Sequence, residues 1–352
     1  MGIDIVTWTA DVETNMRSIV NDEFSRFQRP ENRWWDAAAT RLTIGTRTQI
    51  IAWFVNSARL YPQGEGGGNF SYANPLQLDT KFTPTTTGAA VQVRRQEIED
   101  IDQNGMLSGA ALGPLTSWSR DMGHQFGYWP QFQIAELVKN AEGTTIAPAY
   151  DGLAFFATGH YNNGKDSSDG TYDNLLSGST YAPAASATDD VWMAALAATY
   201  LAMAKVKFAT GQVRMLRPAA ILCGPALYPK IARLLDSKFI AAGASVSGSG
   251  GSSDFSGFLS RLGYGKVILA PELIADEWAT NYIVLADRGG EADLGAFIYL
   301  DREPFSIRYY TGRGGGTGVD AILDSADRLE WHASGRNIAG YGHPFLAFKA
   351  KA

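Results

Sequence analysis

One long helical pattern occupies the middle of the sequence, between Gly113 and Glu142. Within it, large apolar residues recur every three or four positions: Leu115, Trp118, Met122, Phe126 and Trp129. This spacing predicts a long amphipathic helix. Gly123, Gly127 and Pro130 interrupt the pattern. Proline lacks a backbone N–H and disfavours helix in the residue before it, so we expect a kink near Trp129 or a second helix that starts there.

The other predicted elements mix helices and strands without regular alternation. A polar arm over residues 6–32 contains one or two short helices, and Trp34-Trp35 after it need a hydrophobic surface. Thr46 caps a predicted helix that carries Ile50, Ile51, Phe54 and Val55. Further helices are expected at 189–208 and 226–235, with strands at 217–223, 267–269, 282–286, 297–310 and 328–349. This order predicts an α+β fold rather than a doubly wound sheet.

Two alternating segments predict a β-hairpin. Apolar residues alternate with polar ones over 76–82 and again over 89–93, and Thr83–Gly88 between them has the composition of a turn. An isolated two-stranded hairpin is only marginally stable in water, so this one must lie on its own domain or on another subunit. A glycine-rich loop precedes it at Gly64–Gly68, and a second Gly/Ser tract spans Ala241–Ser256.

The composition excludes several classes of protein. The 352 residues are 45% apolar, enough to bury a sizeable core, and the net charge of −6 argues against a broad basic nucleic-acid face. The single cysteine, Cys223, excludes an internal disulfide and lies in an apolar strand, where a buried inert thiol is expected. We see no signal peptide, and no apolar run approaches the roughly 20 residues of a membrane span.

The segment Asp151–His160 and the polar loop after it offer candidate chemistry. Gly159–Asp166 nearly matches the phosphate-binding P-loop, but that loop requires Ser or Thr after Lys165 and then a helix. Here Asp166 would repel phosphate, and a Ser-Ser-Asp-Gly turn stands where the helix should begin. These departures argue against nucleotide binding.

A metal site in the same loop also fails on spacing. Asp166, Asp169 and Asp173 do not follow the alternate positions of a calcium loop, and no closing glutamate follows. His160 has no second histidine at ligand spacing, because the others stand far away at His124, His332 and His343. We therefore expect a polar loop that faces solvent or a neighbour, while Phe155 and Phe156 pack in the core.

No other motif completes an active site. Gly314–Gly318 lacks the last glycine of a dinucleotide fingerprint, and Gly-x-Ser-x-Gly does not occur. The carboxylates of a cluster could do acid–base work, but a charged turn between strand and helix explains them equally well: Glu97, Glu99, Asp100 and Asp102. The sequence predicts no catalytic residue, cofactor or metal, and hence no enzyme.

Taken in order, several segments resemble the Mu-like (gpT-type) major head subunits of tailed phages. The most distinctive is Asp151-Gly152 followed by Phe155-Phe156 and His160, which resembles the family's Asp-Gly-x-x-Phe-Phe-x-x-x-His motif. The other matching segments are Thr46–Trp53, Val93–Gly105, Asn174–Gly178, Pro218–Leu235 and Asn281–Asp287. The resemblance spans roughly residues 40 to 350, and the two glycine-rich tracts depart from it.

The resemblance implies the Hong Kong 97-like capsid fold. Its parts would be an N-terminal arm (1–40), a short helix region (41–60), an extended E-loop hairpin (61–98), a peripheral domain with the long spine helix (99–147), an axial domain (148–298) and C-terminal peripheral strands (299–352). The E-loop would contact a neighbouring subunit through Tyr61, Pro62, Tyr72, Leu76, Leu78 and Phe82. The axial loop, with Gly243, Ser245 and Ser247, would approach a five- or six-fold axis.

The implied function is a major capsid protein that self-assembles, as hexamers and pentamers, into an icosahedral shell around double-stranded DNA. The expected partners are further copies of the chain, a portal, and scaffold or decoration proteins. DNA would be contacted only non-specifically, and no membrane is expected. The shell would belong to the virion and assemble in the cytoplasm of the bacterial host. Two alternatives remain: a cellular nanocompartment shell, or a metal- or nucleotide-dependent enzyme that uses the loop 160–173.

Overall fold

The computed structural model describes residues 5–27, 33–54, 77–94, 113–236, 255–287, 294–309 and 328–352. Its helices are α1 (Ile5–Phe27), α2 (Trp34–Ala38), α3 (Gly113–Lys139), α4 (Asp189–Ala204), α5 (Tyr228–Asp236) and α6 (Phe255–Leu262). Helices and strands are mixed without regular alternation, as the sequence predicts. No helix in the described ranges is long and apolar enough to cross a membrane.

The predicted long helix is confirmed as α3. It continues through Pro130 without a break, so the alternative of a second helix that begins near Trp129 is wrong. Pro130 removes one backbone hydrogen bond, but Phe126 and Ile134 are buried on either side of it. Both halves of the helix are therefore packed against the interior of the protein.

Four strands form a sheet against the long helix. They are β1 (Ala39–Thr43), β11 (Phe297–Tyr309), β12 (Arg328–Tyr341) and β4 (Thr85–Arg94), in that spatial order. Strand β1 runs parallel to β11, whereas β11–β12 and β12–β4 are antiparallel. The sequence correctly predicts extended chain over β11, β12 and part of β4, but not over β1, part of which falls in the predicted short helix region.

A second sheet has five strands, in the order β7 (Leu175–Ser177), β13 (Ala347–Lys351), β10 (Tyr282–Ala286), β8 (Pro218–Cys223) and β9 (Lys266–Leu269). Its central strand β10 pairs antiparallel with both β13 and β8, while the outer strands run parallel to their neighbours. All five residues of β10 are buried, as expected of a strand covered on both faces.

Two short pairs complete the strands, and one of them corrects a prediction. The segment assigned to a helix from Thr46 is strand β2 (Gln49–Phe54), paired antiparallel with β3 (Gln77–Phe82). Ile51 and Trp53 are 7% and 1% exposed, whereas Ile50 before them is 58% exposed and Ala52 between them is also exposed. Alternate burial is the signature of a strand that covers a core with one face. The other pair is β5 (His160–Tyr161) with β6 (Thr171–Tyr172).

The predicted hairpin between residues 76–82 and 89–93 is also wrong. Strands β3 and β4 are consecutive but belong to different sheets, since β3 pairs with β2 and β4 pairs with β12 along ten residues. The change of sheet occurs at Thr83-Pro84, just after Phe82, whose ring lies directly against Gly340. A side chain at position 340 would collide with that ring, so a glycine in β12 fixes where the chain leaves β3.

Helix α1 packs against α3 through two glycines. A Cβ atom added to Gly123 would lie 2.8 Å from both the Cβ atom of Glu23 and the carbonyl oxygen of Val20, and one added to Gly127 would overlap Phe27. The predicted arm is therefore one 23-residue helix that lies on the long helix. Its apolar residues share a buried cluster with both α3 and the four-stranded sheet: Val12, Met16, Val20, Leu115, Phe126, Ile307 and Trp331.

A single carboxylate joins three separate parts of the fold. Glu272, in the segment after β9, accepts hydrogen bonds from Trp34 Nε1 at 2.9 Å and from Gln131 Nε2 at 2.5 Å. It thereby ties α2 and the long helix to the unit built on the five-stranded sheet. Trp34 and Trp35 are buried in the largest core cluster, as their apolar character requires.

Candidate functional site

The segment Asp151–His160 is a series of turns, and β5 begins at its final histidine. Gly152 and Gly159 have φ angles of +81° and +83°, in the left-handed region that favours glycine. Both glycines are therefore required by the path of the chain. Two left-handed residues within eight positions turn the backbone, so the segment is not a regular strand before β5.

His160 is locked in place from both sides. Its Nδ1 lies 2.5 Å from Oδ2 of Asp151, and its Nε2 lies 3.2 Å from the carbonyl oxygen of Phe155. The side chains of His160 and Asp151 are 0% and 1% exposed, and the imidazole stacks on the ring of Tyr172. Since both ring nitrogens already have partners, neither is available to a metal or a substrate. The histidine is a structural residue.

The two phenylalanines of the motif lie in the main core, as predicted. Phe155 and Phe156 are 0% and 1% exposed. The ring of Phe155 stacks on Tyr341, with 4.6 Å between centroids, and also contacts Phe297. Tyr341 and Phe297 are paired across β12 and β11, so the motif holds the turn segment against the end of the four-stranded sheet.

The side chain of Asn174 connects the segment Asp151–His160 to a distant part of the chain. It is 0% exposed, and its Nδ2 donates to the carbonyl oxygens of Phe155 at 2.8 Å and Pro344 at 3.0 Å. Its Oδ1 accepts from the backbone N–H of Ala157 at 2.9 Å. One amide therefore joins the turn segment to the chain just before β13. This role cannot be predicted from the residue type, because an asparagine beside a polar loop resembles any surface residue.

The loop after His160 is closed by its own hydrogen bonds. Nδ2 of Asn163 donates to Asp166 Oδ1 and Asp169 Oδ2, both at 3.0 Å, while Oδ1 of Asn163 accepts from the backbone of Lys165 and Asp166. Hydrogen bonds from Ser168 and Asn163 lower the pKa of Asp166 to about 2. The amide of Asn163 therefore contacts the Asp166 and Asp169 carboxylates that a calcium site would need as ligands.

The expectation that this whole loop faces solvent or a neighbour needs correction. Asn162 and Asn163 are 5% and 6% exposed, because they turn inward to hydrogen-bond the loop backbone and its acids. The exposed part of the loop is Lys165 to Thr171 together with Asp173. Among the described residues no group of three or more His, Cys, Asp or Glu side chains is placed to hold a metal ion.

Two further ionisable side chains, those of Cys223 and His343, are buried. Burial raises the pKa of the Cys223 thiol to about 12, so the thiol has little nucleophilic character at neutral pH. Burial, reinforced by the neighbouring guanidinium of Arg214, lowers the pKa of His343 from 6.5 to about 3. Arg214 is held in turn between the rings of Phe208 and Phe345.

His343 should make the fold sensitive to acid. Unfolding exposes the imidazole, which then binds a proton below pH 6.5, whereas the folded protein binds it only near pH 3. Stability is therefore fully present above pH 6.5 and lost as the pH falls toward 3, by up to about 1.4 kcal/mol per pH unit. Urea unfolding between pH 7 and 5 should show a shallower loss for His343→Phe than for the wild type. His124→Gln, at an exposed site, is the matched control. Equal slopes for the two variants would refute this assignment.

The residues predicted to contact neighbouring subunits fall in different places. Four E-loop residues lie outside the described residues: Tyr61, Pro62, Tyr72 and Leu76. Leu78 is half-buried in a cluster with Trp53, and Phe82 is 5% exposed against Gly340. The side chain of Phe82 therefore serves the chain's own core. The axial-loop residues Gly243, Ser245 and Ser247, the Gly314–Gly318 loop and the acidic cluster at 97–102 also lie outside the described residues.

Comparison with known proteins gives these features a context. A family model described as phage capsid protein matches residues 77–344, about three quarters of the sequence. The chain belongs to the phage capsid protein family. No curated protein matches the sequence. The matched range contains the long helix, the segment Asp151–Gly178 and every strand of the two large sheets except β1 and β13.

The chain is also similar to solved capsid structures. The capsid of a native GTA particle aligns with a TM-score of 0.52 at 12% identity, over 90% of this chain and 89% of that one. The procapsid of bacteriophage JBD30 aligns at 15% identity with a TM-score of 0.45, over 98% of this chain and 75% of that one. The chain has the Hong Kong 97-like α+β fold, and it is a major capsid protein of the phage-head type.

Proposed function

We propose that copies of this capsid protein assemble as hexamers and pentamers into the icosahedral shell that encloses the double-stranded DNA of a tailed phage or prophage. The family match over residues 77–344 carries the proposal. It favours a phage head over a nanocompartment or an enzyme built on the loop 160–173. We assign the protein to the virion and its assembly to the bacterial cytoplasm. The Mu-like subtype is proposed on the Asp151–His160 motif.

The fold supports an assignment of its parts. Helix α1 belongs to the N-terminal arm, and α3 is the spine helix beside the four-stranded peripheral sheet. The five-stranded sheet forms the axial domain, so β13 is reassigned to it from the C-terminal peripheral strands (299–352), because β13 pairs with β10 and β7. The E-loop is reassigned from residues 61–98 to the connection between β2 and β3, because these two strands pair with each other. The connection enters and leaves one end of that pair, as an extended loop requires.

Exposed apolar side chains mark candidate contacts between subunits. Met215 and Ile274 are 76% and 78% exposed, and Leu201 on α4 is 56% exposed. Single exposed apolar residues are common on monomers, but these three all belong to the unit of the five-stranded sheet. Met215 also has a φ of +55°, which is unusual for a residue with a side chain and holds it outward. We assign these positions to contacts with neighbouring copies.

The charge of the chain fits a container for DNA that must be released. With 30 basic and 36 acidic residues, the subunit attracts phosphate only weakly. We propose that the packaged DNA is contacted without sequence preference, and that a portal and scaffold or decoration proteins complete the particle. Strong retention of DNA by empty shells, with a steep dependence on salt, would contradict this proposal.

Self-assembly is tested with the purified chain alone. Sedimentation velocity and negative-stain microscopy should show rings or closed shells for the wild type. Met215→Asp and Ile274→Asp should reduce them at unchanged unfolding free energy, because both side chains are mostly in solvent. Lys165→Ala and Asp169→Ala, in the exposed loop tip, are the controls and should assemble normally. A chain that stays monomeric at every concentration, or an enzymatic activity lost in those controls, would count against a capsid subunit.

A further inference from the structure

Strand β4 forms a long sheet edge whose only charged residue is its last, Arg94. It is the last strand of the four-stranded sheet, and its ten residues pair with β12 without a register shift. Between Thr85 and Val93 it carries no charged residue, no proline and no bulge. Its two central residues, Ala89 and Ala90, are exposed, and no described element pairs with its outer side.

The other edges of the two large sheets are formed by strands of only three to five residues, whereas β4 has ten. Strand β1 has Arg41 at its centre, β9 begins with Lys266, and β7 is only three residues long. Charged or very short edge strands prevent further strands from adding to a sheet. Every second residue of an edge strand presents an unpaired N–H and C=O outward. The outer side of β4 can therefore form backbone hydrogen bonds with another strand.

We propose that β4 pairs antiparallel with β4 of a second copy of this chain, across a two-fold axis that passes through Ala89 or Ala90. The inference rests on the proposed function, in which many copies meet in one shell. An axis perpendicular to the sheet keeps the helices of both copies on the same side. The two sheets then become one continuous eight-stranded sheet, and both exposed edges disappear.

The sequence of β4 is complementary to itself in this arrangement. With the axis at Ala89, Thr87 faces Val91 and Thr85 faces Val93 of the other copy. With the axis at Ala90, Arg94 faces Thr86. In neither register do like charges oppose each other, and the residue on the axis is an alanine in both. Pairing uses backbone hydrogen bonds along nearly the whole strand, so few side chains need to fit.

Cysteine cross-linking tests the pairing, because the native Cys223 is fully buried. The variants Ala89→Cys, Ala90→Cys and Gln92→Cys are assembled and oxidised, and both shells and soluble subunits are analysed on non-reducing gels. Residues on the axis lie within the roughly 7 Å that a disulfide can span, whereas the two copies of residue 92 are on the order of 13–20 Å apart. One of the alanine variants should give a covalent dimer, and Gln92→Cys should give none.

A charge at the axis provides a second measurement. Ala90→Lys should lower the shell yield by about tenfold or more, and it should leave the subunit folded because position 90 is exposed. Thr43→Lys on β1 should leave the shell yield unchanged. Shells that form but give no dimer from either alanine variant overturn the edge pairing and leave the proposed function intact. Cross-links from all three cysteine variants overturn it in favour of parallel pairing. Covalent dimers without shells support the pairing and count against the shell, and the absence of both overturns both proposals.

Discussion

Replacing Asn174 by alanine should lower the free energy of unfolding by about 3–5 kcal/mol. The side chain is completely buried and serves three backbone groups, the carbonyls of Phe155 and Pro344 and the N–H of Ala157. Alanine removes all three partners, and a buried polar group without a partner costs about 1–3 kcal/mol. The loss should exceed that of a simple cavity, because water cannot reach the three groups.

Guanidinium unfolding of the unassembled subunit, followed by tryptophan fluorescence, measures this loss. Asn140→Ala is the matched control, since Asn140 also bonds a backbone carbonyl but is exposed, and it should cost less than about 1 kcal/mol. Asn174→Asp keeps the shape and the acceptor but removes the two donated bonds, so it should also be strongly destabilised. An Asn174→Ala subunit within about 1 kcal/mol of the wild type would show that the amide does not hold the segment.

The long helix could be predicted from sequence because its periodic pattern is long. Over Gly113–Lys139 the apolar repeat outweighs two glycines and a proline. The glycines also had a positive role, since Gly123 and Gly127 make room for α1. That role depends on a partner distant in sequence, and nothing within α3 itself reveals it.

In short segments the periodic pattern does not distinguish a helix from a strand. Ile50, Ile51 and Phe54 fit a helical spacing, yet the segment is a strand because β3 pairs with it. A run of six residues contains too few positions to separate the two periods. The supposed hairpin of β3 and β4 failed for a related reason. Strand β3 pairs with β2 and β4 pairs with β12, so the two consecutive strands do not pair with each other. Gly340 in β12 is a local sign of the close approach of another residue, Phe82.

The candidate site was found from sequence, but its chemistry was not. The motif that runs from Asp151 to His160 carries a histidine and acids near glycines, which is how many active sites begin. Only three-dimensional contacts show that both nitrogens of His160 are occupied and that Asn174 is buried. Polar residues that satisfy the backbone inside a protein are indistinguishable, as residue types, from those that bind a ligand.

The pair of His160 and Asp151 should show strong energetic coupling. His160→Leu leaves the Asp151 carboxylate buried with only the backbone N–H of Leu153, at 3.2 Å, as a donor. Breaking a buried pair from one side costs about 3–5 kcal/mol, because an uncompensated charge stays behind. Replacing both residues, as Asp151→Asn with His160→Leu, removes that charge.

A double-mutant cycle on the unassembled subunit measures the coupling. The double variant should be more stable than the sum of the two single changes predicts, by about 1–3 kcal/mol. His332 and Glu330 form the matched surface pair, 3.4 Å apart, with a 40% exposed imidazole. There His332→Leu should cost less than about 1 kcal/mol. Additive effects at His160 and Asp151 would mean that the two residues act separately. Strong coupling would instead show that the buried pair stabilises the fold of the subunit, although the motif resembles an active site in its residue types.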